Sequence, residues 1–179
     1  MKISNTELDG LLVIEPNVYS DERGYFFENY HALRYQLPYA GQFVQDNEAK
    51  SNKGVLRGLH FQNGIYAQGK LVRVVTGSVY DVAVDVRADS PTFGLWYGIL
   101  LSGENKKQLW IPRGFAHGYL VLEDDTIFSY KCDNYYHKLA EQGIRFDDPA
   151  LTISWPSVGE PFIISEKDRS LGSISDLAI

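Results

Sequence analysis

The chain has 179 residues and a formal net charge of −6, from 17 basic and 23 acidic side chains. This charge disfavours non-specific binding to nucleic acid, and a single cysteine excludes an internal disulfide framework and a multi-cysteine zinc site. No apolar run is long enough to span a bilayer or to serve as a signal peptide, so we expect one cytoplasmic domain, 1–179, without membrane or nucleic-acid partners.

The first elements predicted along the chain are two short strands and one helix. LLVIEP (11–16) and YFFENY (25–30) are rich in the β-branched and aromatic residues that favour strands. NYHALRYQL (29–37) is the best candidate for a helix in a chain that otherwise shows few helical signals.

The clearest periodicity lies in the middle of the chain. In SVYDVAVDVR (78–87) two sets of side chains alternate with period two, which is typical of a strand. The preceding KLVRVVTG (70–77) is rich in β-branched residues and runs into a Thr-Gly-Ser turn signal. We therefore predict that these two segments pair as a β-hairpin.

Short strands continue to recur in the second half. The candidates are LWYGILL (95–101), QLWIP (108–112), GYLVLED (118–124) and TIFSYKC (126–132). Near the C-terminus, Ser165 and Asp168 have the spacing of a helix cap and predict a short helical turn. Many short strands separated by turns indicate an all-β sandwich or barrel, most often a jelly roll, with a few short helices.

GVLRGLHFQ (54–62) carries His60 in an otherwise apolar stretch, with Arg57 three residues before it and Gln62 two residues after. This histidine can be a metal ligand, a catalytic base, or a core residue satisfied by hydrogen bonds, which is the commonest fate on an apolar strand. The positive charges of Arg57 and Lys70 favour a neutral base. A carboxylate partner would fix its tautomer. The candidates for that partner are Asp81, Asp85 and Asp168.

PRGFAHG (112–118) has the spacing Pro-x-Gly-x-x-His, which is half of the pattern found in cupins, the small jelly-roll barrels. A metal-binding cupin usually adds a motif with two histidines one residue apart, whereas here Gln62 stands in the place of the second histidine. A first-row metal normally needs three convergent His, Cys or carboxylate ligands, and the chain does not visibly provide them. We therefore predict no metal site.

Tyr130 falls in the strand candidate 126–132, where an isolated tyrosine is more often a core aromatic than a catalytic group. As a functional residue it would donate a proton. Just beyond it, Asn134-Tyr135-Tyr136 offers either a stacking surface for a flat base or a turn with exposed aromatics. The residues alone leave these alternatives open.

An ordered set of motifs along the whole chain resembles the dTDP-4-dehydrorhamnose 3,5-epimerase family. These motifs are DERGYFFE (21–28), FVQDN (43–47), RGLHFQ (57–62), QGKLVRV (68–74), VYDVAVDVR (79–87), PRGFAHGY (112–119), YKCDNYY (130–136), GIRFDDPALTISWP (143–156) and SEKD (165–168). The resemblance implies a cupin-type double-stranded β-helix that acts as a homodimer without metal or cofactor. It implies inversion at C3 and C5 of a dTDP-linked 4-keto-6-deoxyhexose, on the route to dTDP-L-rhamnose.

The resemblance also implies a role for each member of a catalytic set. His60 is the expected base, oriented by Asp168, and Tyr130 is the expected acid on the opposite face of the sugar ring. Lys70 is the expected cation for the oxyanion that develops at C4, with Arg57 close by. No redox cofactor is required for these proton transfers.

Other family positions are expected to contact the substrate, some of them from the partner subunit. They are Arg23, Glu28, Gln45, Asp46, Asn47, Arg57, Lys70, His117, Tyr135, Glu141 and Lys167. An arginine suits the diphosphate, and Tyr135 resembles the aromatic that stacks near thymine. Asp133, where many members carry threonine, and Phe146, where tryptophan is common, leave the nucleotide and sugar preference open.

Two alternatives accompany this interpretation. The same base and acid would serve an enzyme that inverts only C3 or only C5, or one that isomerises the keto group of a related dTDP-4-keto-6-deoxy sugar. A cupin that only binds a sugar nucleotide is the alternative of another class. The intact set of His60, Tyr130, Asp168 and Lys70 argues against it, because a pure binder has no need of an acid and a base.

Overall fold

A computed structural model describes residues 1–177, in which strands dominate and helix is confined to short turns. In chain order the strands are β1 (Lys2–Asn5), β2 (Leu12–Glu15), β3 (Val18–Asp21), β4 (Gly24–Phe27), β5 (Gln45–Ser51), β6 (Leu56–Gln62), β7 (Lys70–Thr76), β8 (Ser78–Asp85), β9 (Trp96–Ser102), β10 (Gln108–Ile111), β11 (Phe115–Val121), β12 (Thr126–Cys132) and β13 (Glu141–Gly143). The α-helix is α1 (Glu166–Arg169), and 3₁₀ turns lie at Gly64–Tyr66, Lys138–Ala140 and Ile174–Asp176.

Two antiparallel sheets face each other across the core. One has the strand order β1-β2-β10-β7-β12-β5 and the other the order β13-β6-β11-β8-β9, while β3 and β4 form a separate hairpin. Strands that follow one another in sequence are mostly distributed between the two sheets, as in a jelly roll. The predicted all-β class with a few short helices is confirmed.

The alternation predicted for β8 is confirmed, and both of its faces are buried. Val79 and Ala83 belong to the apolar cluster between the sheets, whereas Val82 and Val84 pack beneath the C-terminal segment. Burial on both sides explains why apolar residues fill nearly the whole strand.

The predicted hairpin of segments 70–77 and 78–87 is wrong, although both strands exist. β7 lies in the six-stranded sheet and β8 in the five-stranded sheet, and Gly77 between them has a φ of +76°. The Thr-Gly-Ser signal therefore marks a crossing from one sheet to the other. Strand periodicity reports which faces are buried, but it does not specify the partner of each strand.

The predicted helix over 29–37 is also absent. The carbonyl of His31 accepts hydrogen bonds from the backbone N–H groups of Arg34 and Tyr35, both at 3.0 Å, and this makes a single turn. Pro38 follows shortly after and disfavours continuation of a helix. The buried Tyr35 hydroxyl instead donates to backbone carbonyls just before the turn, so tertiary packing overrides local propensity.

Sequence periodicity did not predict β5, which forms one edge of the six-stranded sheet. Its sequence QDNEAKS is mostly polar, and its side chains alternate between half-buried and exposed positions. Pairing with β12 places Asn47 opposite Tyr130. This polar edge strand therefore contributes side chains to the region around Tyr130.

The turn after β8 is organised by a buried carboxylate. Asp85 is fully buried and accepts hydrogen bonds from Arg87 Nη2, Ser90 Oγ and Thr92 Oγ1, each at 2.6 Å. Burial alone would raise the pKa of Asp85, but these hydrogen bonds outweigh it and hold the pKa below its ordinary value of 3.8. Asp85 is therefore engaged locally and is not the partner of His60.

We expect Asp85→Asn to lower the free energy of unfolding at pH 7 by about 2–3 kcal/mol, because the buried donors lose a charged acceptor. The pKa of Asp85 is lower in the folded state than in the unfolded state. Its ionised carboxylate therefore contributes fully to the free energy of unfolding above the ordinary pKa, and this contribution is lost as the pH falls through the pKa of the folded state. Urea unfolding of both forms between about pH 7 and pH 3 measures the difference. The exposed Asp89, changed to Asn in the same turn, is the matched control, and an equal loss in both variants would contradict this account.

Candidate active site

A cleft is lined by side chains from both sheets. Its main cavity is about 560 Å³ in volume, and a smaller cavity of about 250 Å³ shares His60, Lys70 and Tyr130 with it. The main cavity is also lined by Arg57, His117, Tyr119, Lys167 and Asp168, and the smaller one by Gln45, Asn47, Gln62, Gln68, Tyr136 and Glu141. Charged and polar side chains from both sheets thus converge on one space.

An irregularity in β6 explains how Arg57 and His60 both reach this cleft. Residues three apart on a regular strand point to opposite faces, but the register with β11 shifts between His60 and Arg57. Gly58 lies in this irregular stretch with a φ of +113°, and a Cβ there would approach the Cα of Gly118 to 2.6 Å. Glycine at position 58 is therefore needed for both side chains to line the same cavity.

His60 forms its key contact with Asp168 of α1, which is 108 residues away in the sequence. His60 Nε2 lies 2.8 Å from Asp168 Oδ1, and the other carboxylate oxygen accepts a hydrogen bond from the Gly58 N–H at 3.1 Å. Burial alone would raise the pKa of Asp168, but these hydrogen bonds outweigh it and keep the pKa below the ordinary value. Ser165 caps the turn by accepting from the Asp168 N–H, as the spacing predicted.

A second histidine–carboxylate pair lies deeper in the barrel. His117 is paired with His60 in the register of β11 and β6, and its Nε2 lies 3.0 Å from Oδ2 of the fully buried Asp81. Of the three carboxylates considered as partners of His60, Asp168 takes that place and Asp81 serves His117.

Lys70 enters the cleft from the start of β7, in the opposite sheet from His60. Burial lowers the pKa of its ammonium group from the ordinary value of 10.5, and the negative charges of Asp81 and Glu141 oppose part of that shift. The group therefore lies in a poorly solvated place, where its charge acts strongly on any anion that enters.

Tyr130 reaches the cleft from β12, also in the sheet opposite His60. Burial raises the pKa of its phenol, while the charge of Arg57 opposes the shift. The phenol is consequently protonated at neutral pH. The structure thus places a histidine–carboxylate pair and a protonated phenol on facing walls of one cavity.

Most of the predicted binding residues lie around this cleft. Gln45 and Asn47 of β5 line the smaller cavity together with Glu141. Lys167 lines the main cavity, and its Nζ forms an ion pair with Glu141 Oε1 at 2.6 Å. Asp46 lines neither cavity, because its side chain points to the other face of the strand and pairs with Lys131.

The structure separates the two tyrosines of the 134–136 segment. Tyr135, the predicted stacking residue, lines neither cavity. Tyr136 does line the smaller cavity, and its hydroxyl donates to Glu141 Oε2 at 2.8 Å. The conformation of the loop therefore distinguishes the two neighbours, and the stacking role of Tyr135 stays a prediction.

Arg23 and Glu28 are not brought to the cleft of this chain. Arg23 lies at the tip of the β3–β4 hairpin, where its side chain is 82% exposed and pairs with Asp21. Glu28 pairs with Arg34 outside the cavities. The hairpin that carries Arg23 also exposes large aromatic side chains. They are Tyr19 (64%), Tyr25 (57%) and Phe26 (71%).

The two departures from the family pattern lie outside both cavities. Asp133 is buried, accepts from the Gly69 N–H at 2.6 Å and pairs with Arg113 at 3.0 Å. It therefore joins the ends of the strands that carry Lys70 and Tyr130. Phe146 packs against Phe162.

Residues 1–177 contain neither a cluster of metal-binding side chains nor a membrane-spanning helix. No group of three or more His, Cys, Asp or Glu side chains in this part of the chain has an arrangement that would hold a metal ion. Nor does this part contain a helix long and apolar enough to cross a membrane.

The sequence model of the dTDP-4-dehydrorhamnose 3,5-epimerase family matches residues 5–176. The chain belongs to this family. It is 50% identical to the dTDP-4-dehydrorhamnose 3,5-epimerase of Escherichia coli K12, over 99% of this chain and 96% of that relative. Epimerases of this family are isomerases, and the resemblance predicted from the motifs is confirmed.

Solved structures of epimerases share the fold. One is the dTDP-6-deoxy-D-glucose-3,5-epimerase of Legionella pneumophila in complex with dTDP-4-keto-L-rhamnose, with a TM-score of 0.94 and 52% identity over 98% of this chain and 94% of that one. Another is a 3′-monoepimerase from Streptomyces bikiniensis in complex with dTDP-quinovose, with a TM-score of 0.88 and 31% identity over 95% and 86% of the two chains. The family fold therefore accommodates both double and single epimerisation.

Proposed function

We propose that this chain inverts C3 and C5 of dTDP-4-dehydro-6-deoxy-D-glucose to give dTDP-4-dehydro-L-rhamnose, in the biosynthesis of dTDP-L-rhamnose. The observation that carries the proposal is the pairing of His60 with Asp168 on one wall of the cleft and Tyr130 on the facing wall. Family membership supports the substrate class. All of the chemistry consists of proton transfers, so the reaction needs neither a metal nor a redox cofactor.

The first step removes a proton next to the C4 ketone. The hydrogens on C3 and C5 are both acidic, because either carbanion delocalises into an enolate with its charge on the C4 oxygen. Since the carboxylate of Asp168 is ionised and only accepts, His60 Nε2 must carry the hydrogen of their 2.8 Å bond. The lone pair then resides on Nδ1, which is the atom we assign as the base.

The positive charge of Lys70 stabilises the enolate oxygen. A cation held in a poorly solvated cavity needs little reorganisation when negative charge develops next to it. Arg57 lines the same cavity and adds positive charge. The second step returns a proton from the phenol of Tyr130 to the other face of the ring, and this inverts the centre.

We expect kcat/KM to fall on the alkaline limb of its pH profile at a pH below the ordinary pKa of a lysine. Burial lowers the pKa of Lys70, and the cationic form is the active one, so activity is lost as the pH rises through that lowered pKa. Lys70→Arg should move this limb to higher pH, since a guanidinium stays charged. Initial rates between about pH 6 and pH 11 measure the limb. Lys131→Arg, on a lysine outside the main cavity, is the control, and an unmoved limb in Lys70→Arg would contradict the assignment.

The nucleotide end of the substrate is assigned to the smaller cavity. Tyr136 presents a half-exposed ring there, beside Gln45 and Asn47, and a flat aromatic face suits stacking on thymine. We therefore assign the role of stacking on thymine to Tyr136 and not to Tyr135. Lys167, which forms an ion pair with Glu141, is assigned to the diphosphate.

Arg23 is assigned to the diphosphate of a neighbouring site in a homodimer. Its hairpin forms a separate two-stranded sheet and exposes three large aromatic side chains, which favours burial against a second copy. Light scattering tests the assembly, and a monomeric mass under assay conditions would contradict it. The cytoplasmic location stays a prediction.

Incubation with dTDP-4-keto-6-deoxyglucose in deuterated water tests the proposed function. Proton NMR should show exchange and inversion at both C3 and C5. The relation to a 3′-monoepimerase makes single epimerisation the second candidate, and exchange confined to one centre would support it. Absence of exchange at both centres would leave only a cupin that binds the sugar nucleotide. Rates should be unchanged after dialysis against EDTA.

A further inference from the structure

Gln62, the glutamine in the place of a metal cupin's second histidine, has all its polar atoms engaged by two loops. It ends β6 and is 5% exposed. Its Nε2 donates to the carbonyls of Tyr66 at 2.7 Å and Tyr135 at 3.2 Å, and its Oε1 accepts from the His137 N–H at 2.6 Å. Both amide hydrogens and the carbonyl oxygen therefore bind backbone.

The hydrogen bonds of Gln62 hold the residues immediately before and after Tyr136. The residues on either side of it, Tyr135 and His137, are both held by Gln62 through their backbone. The His137 ring also stacks on Tyr66, with ring centroids 3.9 Å apart and planes at 13°, which joins the two loops a second time. The N–H of Tyr136 itself donates to Gln45 Oε1 at 3.0 Å. Gln62 therefore holds the residues on both sides of Tyr136, while Gln45 holds the backbone of Tyr136, whose ring lines the smaller cavity.

We propose that Gln62 is a positioning residue that sets affinity for the nucleotide part of the substrate by holding Tyr136 in place. The inference rests on the proposed function, because it assigns the stacking face of Tyr136 to the base. Glutamine suits the task, since it supplies two donors and one acceptor on one planar group. A glutamate has no donor, and a neutral histidine has one donor only.

The loops keep other attachments when Gln62 is replaced. Asn134 Nδ2 donates to the carbonyl of Ile65 at 2.9 Å, and Gln68 Nε2 donates to the carbonyl of Asn134 at 2.8 Å. Loss of the Gln62 bonds should therefore loosen residues 135–137 without detaching the segment. The sheets and the pair of His60 with Asp168 do not depend on these bonds.

Calorimetric titration with dTDP compares the wild type, Gln62→Leu, Tyr136→Ala and the double variant. We expect Gln62→Leu to weaken dTDP binding about tenfold, because two loops lose buried hydrogen bonds. If Gln62 acts through Tyr136, the double variant should bind no more weakly than Tyr136→Ala alone. Gln36→Leu, the same change at an exposed glutamine that lines neither cavity, should bind like the wild type.

Kinetics provide a readout that general destabilisation would not give. For the dTDP-sugar, Gln62→Leu should raise KM about tenfold with kcat within about threefold of the wild type. For a 4-keto-6-deoxyhexose 1-phosphate, which lacks the nucleoside, kcat/KM should be unchanged. If Gln62→Leu does not fold, Gln62→Glu serves instead, with the same expected pattern.

Three results would overturn the inference: unchanged dTDP affinity in Gln62→Leu, additive losses in the double variant, or equal losses on both sugar substrates. A wild type that binds dTDP but shows no proton exchange would refute the proposed function instead. In that case the titration alone still decides the role of Gln62.

Discussion

Replacing His60 with alanine is expected to lower kcat by about 10³- to 10⁴-fold and to abolish deuterium exchange at both C3 and C5. The proposed mechanism assigns both proton abstractions to this one base, since the C4 ketone acidifies the hydrogens at both centres. The bond between His60 Nε2 and Asp168 at 2.8 Å leaves Nδ1 of His60 to accept the proton. Among the described residues, the other histidine of the cleft, His117, pairs with Asp81 and not with Asp168. Exchange followed by NMR in deuterated water measures the loss.

The outcome at each centre distinguishes one base from two. If His60→Ala lost exchange at C3 and kept it at C5, a second base would be required, and His117 would be the first candidate because it lines the same cavity. Near-normal exchange at both centres would refute the assignment. His31→Ala is the control, since this histidine lies in the turn before β5 and lines neither cavity.

Tyr130→Phe is expected to separate exchange from inversion. Without the phenol, inversion should fall by about 10²- to 10³-fold, while exchange should remain within about tenfold of the wild type. The reason is that His60 still removes the proton and returns a solvent deuteron to the same face. A phenol is protonated at neutral pH, and burial raises the pKa of Tyr130 further. Its replacement therefore removes a proton donor and leaves the charge of the cleft unchanged.

Tyr119→Phe is the matched comparison for this result. Tyr119 is a buried phenol on the facing sheet and lines the same main cavity. Its removal should leave the ratio of inversion to exchange unchanged. If Tyr119→Phe lost inversion and Tyr130→Phe kept it, the acid would be Tyr119. If both rates fell together in Tyr130→Phe, the phenol would act in binding and not as the acid.

Local sequence patterns predicted which segments of this fold form strands better than they predicted which strands pair. The strand 126–132 and the Ser165 cap follow from alternation and from side-chain chemistry, which act over a few residues. The hairpin of 70–77 with 78–87 failed because pairing depends on which sheet each strand joins. The helix over 29–37 failed because burial of Tyr35 in the packed structure outweighed helix propensity.

In the candidate active site, too, local sequence patterns do not specify which residues meet in the fold. The importance of His60 could be inferred from its unusual neighbours, but its carboxylate could not be chosen from three candidates by the residue pattern alone. Asp168 is 108 residues away and reaches His60 only because the segment before α1 pairs with the chain just before β6, through Val55 and Ile163. Tyr136 was missed because adjacent residues of a loop can point in any direction. The family resemblance predicts the pairing of Asp168 with His60, whereas the place of Tyr136 beside the smaller cavity follows only from the folded structure.

The stereochemical course of the wild-type reaction in deuterated water tests the central claim most directly. If an acid and a base act from opposite walls of the cleft, each inverted centre should carry one solvent-derived deuterium. NMR of the product should therefore show deuterium at both C3 and C5, each in the inverted configuration. Inversion that retains the original hydrogen at either centre would contradict the account. In the proposed mechanism the base removes one proton and the acid delivers a different one, which comes from the solvent.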